Sequence, residues 1–159
     1  MINGSCLCGG IRYAYGGTLG AISVCHCSTC RKAQGSASSI AAAVERDTFT
    51  WLSGEELIAE HASSPGKMRA FCRRCGSPLY SRRDDTPGVL RLRLGTVETL
   101  LDIAPVAHIH TRSLPAWAAL DDTLPRYPGR NRSAENANGR GRLPRPWSLR
   151  HAWHAPGPG

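Results

Sequence analysis

Seven cysteines fall into three tight groups in this 159-residue chain: Cys6-Leu-Cys8, Cys25-His-Cys27-Ser-Thr-Cys30 and Cys72-Arg-Arg-Cys75. A tetrahedral zinc takes four soft or borderline ligands, and two close Cys pairs from distant segments supply them. Cys6, Cys8, Cys72 and Cys75 therefore read as a closed four-thiolate site. Cys25, Cys27 and Cys30 remain. Three protein ligands with a vacant fourth position is the arrangement of a catalytic metal rather than a structural one. The odd count divides into four plus three, one zinc that holds the fold and one that does chemistry.

The flanking residues favour metal turns. Glycines follow each pair, at Gly9-Gly10 and at Gly76. They let the backbone fold back with positive φ, so that N–H groups point at sulfur. Zinc held in this way contributes about 10–16 kcal/mol of apparent binding energy, comparable with the whole net stability of a domain, about 5–15 kcal/mol. The trio points to different chemistry. Three thiolates leave a divalent ion with a net charge of about −1, a weak activator of water. Such an ion suits a soft fourth ligand such as a substrate thiol, which it holds deprotonated near neutral pH. His26 lies between two ligands and is a candidate fourth ligand or base, although its neighbours direct it away from the metal.

Four other readings of the cysteines stay open. A pure disulfide framework leaves one thiol over, and Cys-x-Cys is too short for relaxed bridge geometry. Free cysteines are often buried as small apolar residues. One zinc with three spare cysteines is a purely structural alternative, and a trio that oxidises to a disulfide would make a redox sensor.

The elements that must position these sulfurs are mostly strands. Residues 11–15, 21–24, 40–44, 49–52, 67–71 and 106–109 are short β-prone runs between turn residues. Val89-Leu-Arg-Leu-Arg-Leu94 alternates apolar and basic, the pattern of a strand with one wet face. Helical signals are thin: one turn over residues 28–33 after the trio, another over 97–101, and an ambiguous stretch at 54–58. A small, mainly β domain over residues 1–127 is expected.

The net charge of +8 suggests nucleic acid until it is mapped. Residues 1–125 carry 13 basic and 11 acidic side chains, whereas residues 126–159 carry seven and one. The segment 128–159 is rich in Gly, Pro, Arg and Asn and poor in aliphatic residues. It cannot bury enough apolar surface to offset its ordering entropy, so it reads as a disordered tail. Its arginines beside Trp147 and Trp153 make an alternative role conceivable, a zinc-stabilised binding module that contacts nucleic acid or another acidic partner. No run of about 18 apolar residues spans a membrane, and no basic stretch followed by an apolar run marks a secretory signal. Clustered thiols then imply a reducing compartment, the cytoplasm.

Cys6-x-Cys8-Gly9-Gly10, Cys25-His-Cys27-x-x-Cys30-Arg31-Lys32 and Cys72-x-x-Cys75-Gly76-Ser77 together resemble the glutathione-dependent formaldehyde-activating enzyme family. Gly95-Thr96-Val97-Glu98, His108-Ile-His110, Ser113 through Trp117 and Leu124-Pro125 fit as well, so the resemblance covers residues 3–127. It implies an Mss4-like fold of several small antiparallel sheets with short helical turns. It implies a structural zinc on Cys6, Cys8, Cys72 and Cys75 and a catalytic zinc on Cys25, Cys27 and Cys30. The implied activity is that of a carbon–sulfur lyase, joining glutathione to formaldehyde as S-hydroxymethylglutathione. Arg31 or Lys32 would stabilise the developing alkoxide. Leu114 stands where a lysine is frequent in similar proteins, and nothing after Pro128 resembles the family.

Overall fold

The structure, a computed structural model, describes residues 1–131. Most of the segment read as a basic tail, from residue 132 onward, lies outside the described residues. The mainly β expectation holds, and the strands form two sheets. Strands β1 (Ile2–Ser5), β2 (Arg12–Tyr15) and β5 (Phe49–Ser53) make an antiparallel sheet in the order β1-β2-β5. The larger sheet joins β3 (Ser23–Cys25), β4 (Ser39–Glu45), β6 (Ile58–Ser64), β7 (Lys67–Cys72), β8 (Pro78–Arg83), β9 (Val89–Arg93) and β10 (Ala107–Ile109) in the order β10-β3-β4-β9-β8-β7-β6. All its pairs are antiparallel except β10 on β3. One α-helix among the described residues, α1 (Ser28–Gln34), begins within the trio and takes in Cys30, where a single turn was expected, and Gly35 ends it at φ 60°.

Cross-strand partners share a face of a sheet, so register sorts the side chains. Ala70, Tyr80, Leu92 and Ala42 form one row across β7, β8, β9 and β4. With Val44 and Leu90 they face the smaller sheet. There Tyr13 and Tyr15 are fully buried, packed with Phe49 and Trp51. The Tyr13 ring stacks on Phe49 at 4.9 Å and Phe49 meets Trp51 edge-on at 4.8 Å, arrangements that add to simple area burial. A second cluster, Ile11 and Leu79 with Cys6 and Cys72, lies under the four-cysteine group.

The opposite face of the larger sheet carries a row of another kind: Arg69, Ser81, Arg91 and Ala43. Two residues along, Arg93 pairs with Ala41, and two further on Ser39 pairs with Cys25. The successive alanines of β4, poor strand formers by propensity, stand beside the long arginines of β9, where larger neighbours would crowd them.

Two expectations need correction. The basic side of β9 is not a wet face: Arg91 is half-buried and Arg93 is 5 % exposed. Residues 97–101 do not form a helical turn. A 3-10 turn at Leu94–Thr96 comes first, and Val97 then bridges to Gly4. Glu98 N–H donates to Asn3 O at 2.9 Å, which fixes β1 in place.

Candidate metal centres

The four cysteines Cys6, Cys8, Cys72 and Cys75 converge, with all four sulfurs within 4.8 Å of one another. Two similar turns bring them together. In the first, Gly9 N–H reaches Cys6 O at 2.9 Å and Ile11 N–H reaches Cys6 Sγ at 3.3 Å, with Gly9 at φ 70°. In the second, Gly76 N–H reaches Cys72 O at 2.8 Å, with Gly76 at φ 74°. Both glycines adopt the left-handed backbone read from the sequence, and only a residue without Cβ does so at no steric cost.

The sulfur spacing fits a metal. A tetrahedron with zinc–sulfur bonds of about 2.3 Å sets its sulfurs about 3.8 Å apart. Cys6 Sγ and Cys8 Sγ are 3.5 Å apart, and Cys8 Sγ and Cys72 Sγ 4.0 Å. All seven cysteines are free, so no disulfide framework exists. Their acidities differ. Burial works to raise Cys75, but the Ser77 and Cys8 amides and the Cys72 and Cys8 thiols bring it down to about 6. The Gly10 amide favours the Cys8 thiolate, yet the surrounding sulfurs, Cys6 foremost, push Cys8 up to about 11.

The trio is assembled by one strand end and one helix start. Cys25 closes β3, Cys27 is the N-cap of α1, and Cys30 lies in its first turn. Cys27 Sγ accepts from Cys30 N–H at 3.3 Å, the bond that an N-cap oxygen would otherwise make. The three sulfurs lie within 4.8 Å of one another, Cys25 and Cys27 half-buried and Cys30 buried. The Cys30 pKa is held well below its ordinary value by Cys25, then Cys27 and then Arg69, whereas that of Cys25 is driven up by Cys27 and Cys30. Of the three sulfurs, Cys30 is the one that a neighbouring cation, Arg69, favours as thiolate.

His26 does not join the trio. It is 2 % exposed, and its Nε2 lies 2.8 Å from His108 Nδ1, while His108 Nε2 meets the Asp122 carboxylate at 2.9 Å. Arg31 turns to the main chain and donates to His26 O at 3.3 Å; Lys32 is exposed on α1. Neither hydrogen-bonds to the three sulfurs. Instead Arg69, from β7, donates to Cys30 Sγ at 3.6 Å. Arg93, lowered to about 10 by burial, donates to Ser39 Oγ at 2.7 Å. The alternation along β9 and in Lys67-Met-Arg69 was the available signal for these cations. Asp122 carried none.

A cleft of about 440 Å³ lined by Phe49, Trp51, Glu60, Tyr80 and Arg82 lies on the other face of the larger sheet from the trio. It contains none of the cysteines, so the sulfur geometry and not cavity size marks the candidate site. No helix among the described residues is long and apolar enough to cross a membrane.

Comparison with known proteins agrees with this geometry. A solved structure of a Rhodobacter sphaeroides protein superposes with a TM-score of 0.53 at 22% identity, covering 62% of this chain and 90% of that one. At that identity the likeness speaks for the fold alone. No curated protein matches. Residues 1–113, the segment that holds all seven cysteines and the basic face, match the family described as glutathione-dependent formaldehyde-activating enzyme, and the chain belongs to that family.

Proposed function

We propose that residues 1–127 join a thiol to a small aldehyde, glutathione to formaldehyde in the reaction the family name describes, with the formal direction of a carbon–sulfur lyase. The observation that carries this reading is the unequal division of sulfur. Four cysteines can close around one zinc, while three converge with two of them half-buried, leaving room for a fourth sulfur. Zinc on Cys6, Cys8, Cys72 and Cys75 would be structural. Zinc on Cys25, Cys27 and Cys30 would supply the positive centre that keeps a substrate thiol deprotonated near neutral pH.

The chain's own residues do the rest. The Cys27 cap and the start of α1 hold the three sulfurs in one orientation, a form of preorganisation. The Arg69 guanidinium donates to Cys30 Sγ and favours its thiolate form. The substrate sulfur adds to the aldehyde carbon. A carbon–sulfur bond forms, the carbonyl π pair moves to oxygen, and oxygen takes up one proton in place of the one the thiol gave up. Seven free thiols suit a reducing compartment such as the cytoplasm.

Exchange NMR between glutathione and formaldehyde tests the reading, since the uncatalysed addition sets the baseline. Exchange faster with protein, and returned to baseline by Cys27→Ala, is expected. Equal rates with and without protein would remove the activity for this pair.

A further inference from the structure

We propose that Lys67, Arg69 and Arg93 form a seat for a carboxylate carried by the substrate thiol, so that the site selects acidic thiols over neutral ones of the same shape. The proposal rests on the thiol reading above and names its substrate class. Cross-strand register puts Arg69 and Arg93 on the face that carries Cys25, and Lys67 lies two residues before Arg69 on the same side of β7.

Arg69 and Arg93 are buried and Lys67 is half-buried. Arg69 is 9 % exposed and Arg93 5 %. Buried charges are ordinarily paired or fully hydrogen-bonded, because desolvation is costly. Yet no Asp or Glu forms an ion pair with Lys67, Arg69 or Arg93 among the described residues. Arg69 commits Nη2 to Cys30 Sγ, while its Nε and Nη1 are buried with no partner. The free Nε–H and Nη1–H lie on different edges of the guanidinium, and each can donate to a carboxylate oxygen.

The trio does not absorb this charge. Three thiolates around a divalent ion carry about −1. Against the three cations, that leaves about two positive charges over. A neutral thiol would leave the surplus buried; a thiol with a carboxylate a few bonds from sulfur would neutralise part of it. The reach is short, since Arg69 lies 3.6 Å from Cys30 Sγ. Burial also lowers Lys67 and Arg93, and neighbouring cations add to the effect, which an arriving anion would relieve.

The test compares matched ligands by calorimetry on the full chain loaded with zinc. The probes are 3-mercaptopropionate, its uncharged amide 3-mercaptopropionamide, and propionate, which lacks sulfur. The acid should bind about tenfold or more tightly than the amide, and propionate should compete with the acid. Arg69→Gln should shrink the acid–amide ratio to about twofold or less, and Arg69→Lys should keep part of it. Acid and amide binding equally in the unaltered protein would overturn the proposal, and this comparison needs no variant to fold. A ratio unchanged in Arg69→Gln and in Arg93→Gln would overturn it as well. Acid preference without any acceleration of formaldehyde exchange would sink the proposed reaction and leave the carboxylate seat standing. Acceleration with no acid preference would do the reverse.

Discussion

His26 Nε2 and His108 Nδ1 face each other at 2.8 Å across the parallel pairing of β3 and β10. The chain of contacts runs from Ala37 O through both rings to Asp122, at 3.3, 2.8 and 2.9 Å. When both rings are neutral they hold two N–H protons for three contacts. The carboxylate takes the His108 Nε2 proton, which lowers the Asp122 pKa. His108 Nδ1 must then accept from His26 Nε2–H. The contact left without a proton is His26 Nδ1 to Ala37 O, the longest of the three. Burial lowers the His26 pKa in accord with this neutral tautomer.

The first prediction concerns pH. A folded-state pKa below the unfolded value of about 6.5 means that the neutral ring is favoured by folding. The stability contributed is present above about pH 6.5 and is lost as pH falls through the folded value. Imidazole nitrogen NMR should find His26 in the Nε2–H form and still neutral where an ordinary histidine is half protonated. His108→Ala leaves a buried N–H unpaired, a cost of about 1–3 kcal/mol. Urea denaturation should detect it, and the metal at Cys25, Cys27 and Cys30 should be held less tightly because His26 lies between two of them.

The two sulfur clusters should fail differently. Cys75→Ala removes one of four convergent ligands at a site that packs on Ile11 and Leu79. Metal binding there is folding energy, so this variant should lose its near-UV signal, as should the unaltered chain treated with a strong chelator. Cys27→Ala removes a ligand and a helix cap, the latter costing about 1 kcal/mol. That protein should stay folded while its zinc content falls from two per chain to one. A Cys75→Ala protein with an unchanged melting curve would contradict the structural role.

The cysteine turns were legible because spacing and the following glycines encode a local geometry that needs no partner from elsewhere. β9 was legible for the same reason: strict alternation is a local signal. Its environment was not. The sequence 89–94 shows that one side of β9 is basic, but nothing in it shows that Arg93 is covered once Ser39 and Ala41 pair beside it. β6 and β8 were missed because Ile58–Ser64 is largely polar, as an edge strand tolerates, and because Pro78–Arg83 opens on proline and ends on two arginines. The His26–His108 contact joins residues 82 positions apart, and no periodicity reports such a pair.

Gly54 connects this lost long-range information to the metal. It adopts φ 72°, and a Cβ there would lie 2.1 Å from Gly10 O. Gly10 follows the Cys8 turn, so Gly54→Ala pushes directly on the segment that presents Cys6 and Cys8. Strain at positive φ and the backbone clash together should cost about 2–4 kcal/mol. Gly35 is the control, with φ 60° and nothing within 4 Å of where a Cβ would stand. Gly35→Ala should cost only the strain, about 1–2 kcal/mol. Melting curves and zinc retention should both separate the two variants; equal losses would show that the close approach to Gly10 is relieved without consequence.

Tyr13 gives the alkaline limit. The Thr96 hydroxyl donates its one proton to Arg93 O at 2.8 Å, so Tyr13 O–H is the donor in the 2.8 Å bond to Thr96 Oγ1. Burial, with Glu98 adding its charge, raises the Tyr13 pKa to about 12; Thr96 opposes this only by turning away from Arg93 O to serve a phenolate. A folded value above the unfolded one of about 10 means that the stability contributed is fully present below pH 10 and is lost as pH rises through 12. The total is on the order of 3 kcal/mol. Tyr13→Phe should cost about 1 kcal/mol at neutral pH through the missing hydrogen bond. It should also flatten the decline in stability between pH 10 and 12. Tyr80, likewise raised to about 12 by burial, keeps part of that slope in the variant. Denaturation series at several alkaline pH values, read beside tyrosinate absorbance, check both effects. An unchanged slope would mean that the Tyr13 proton is released without loosening the contact between the two sheets.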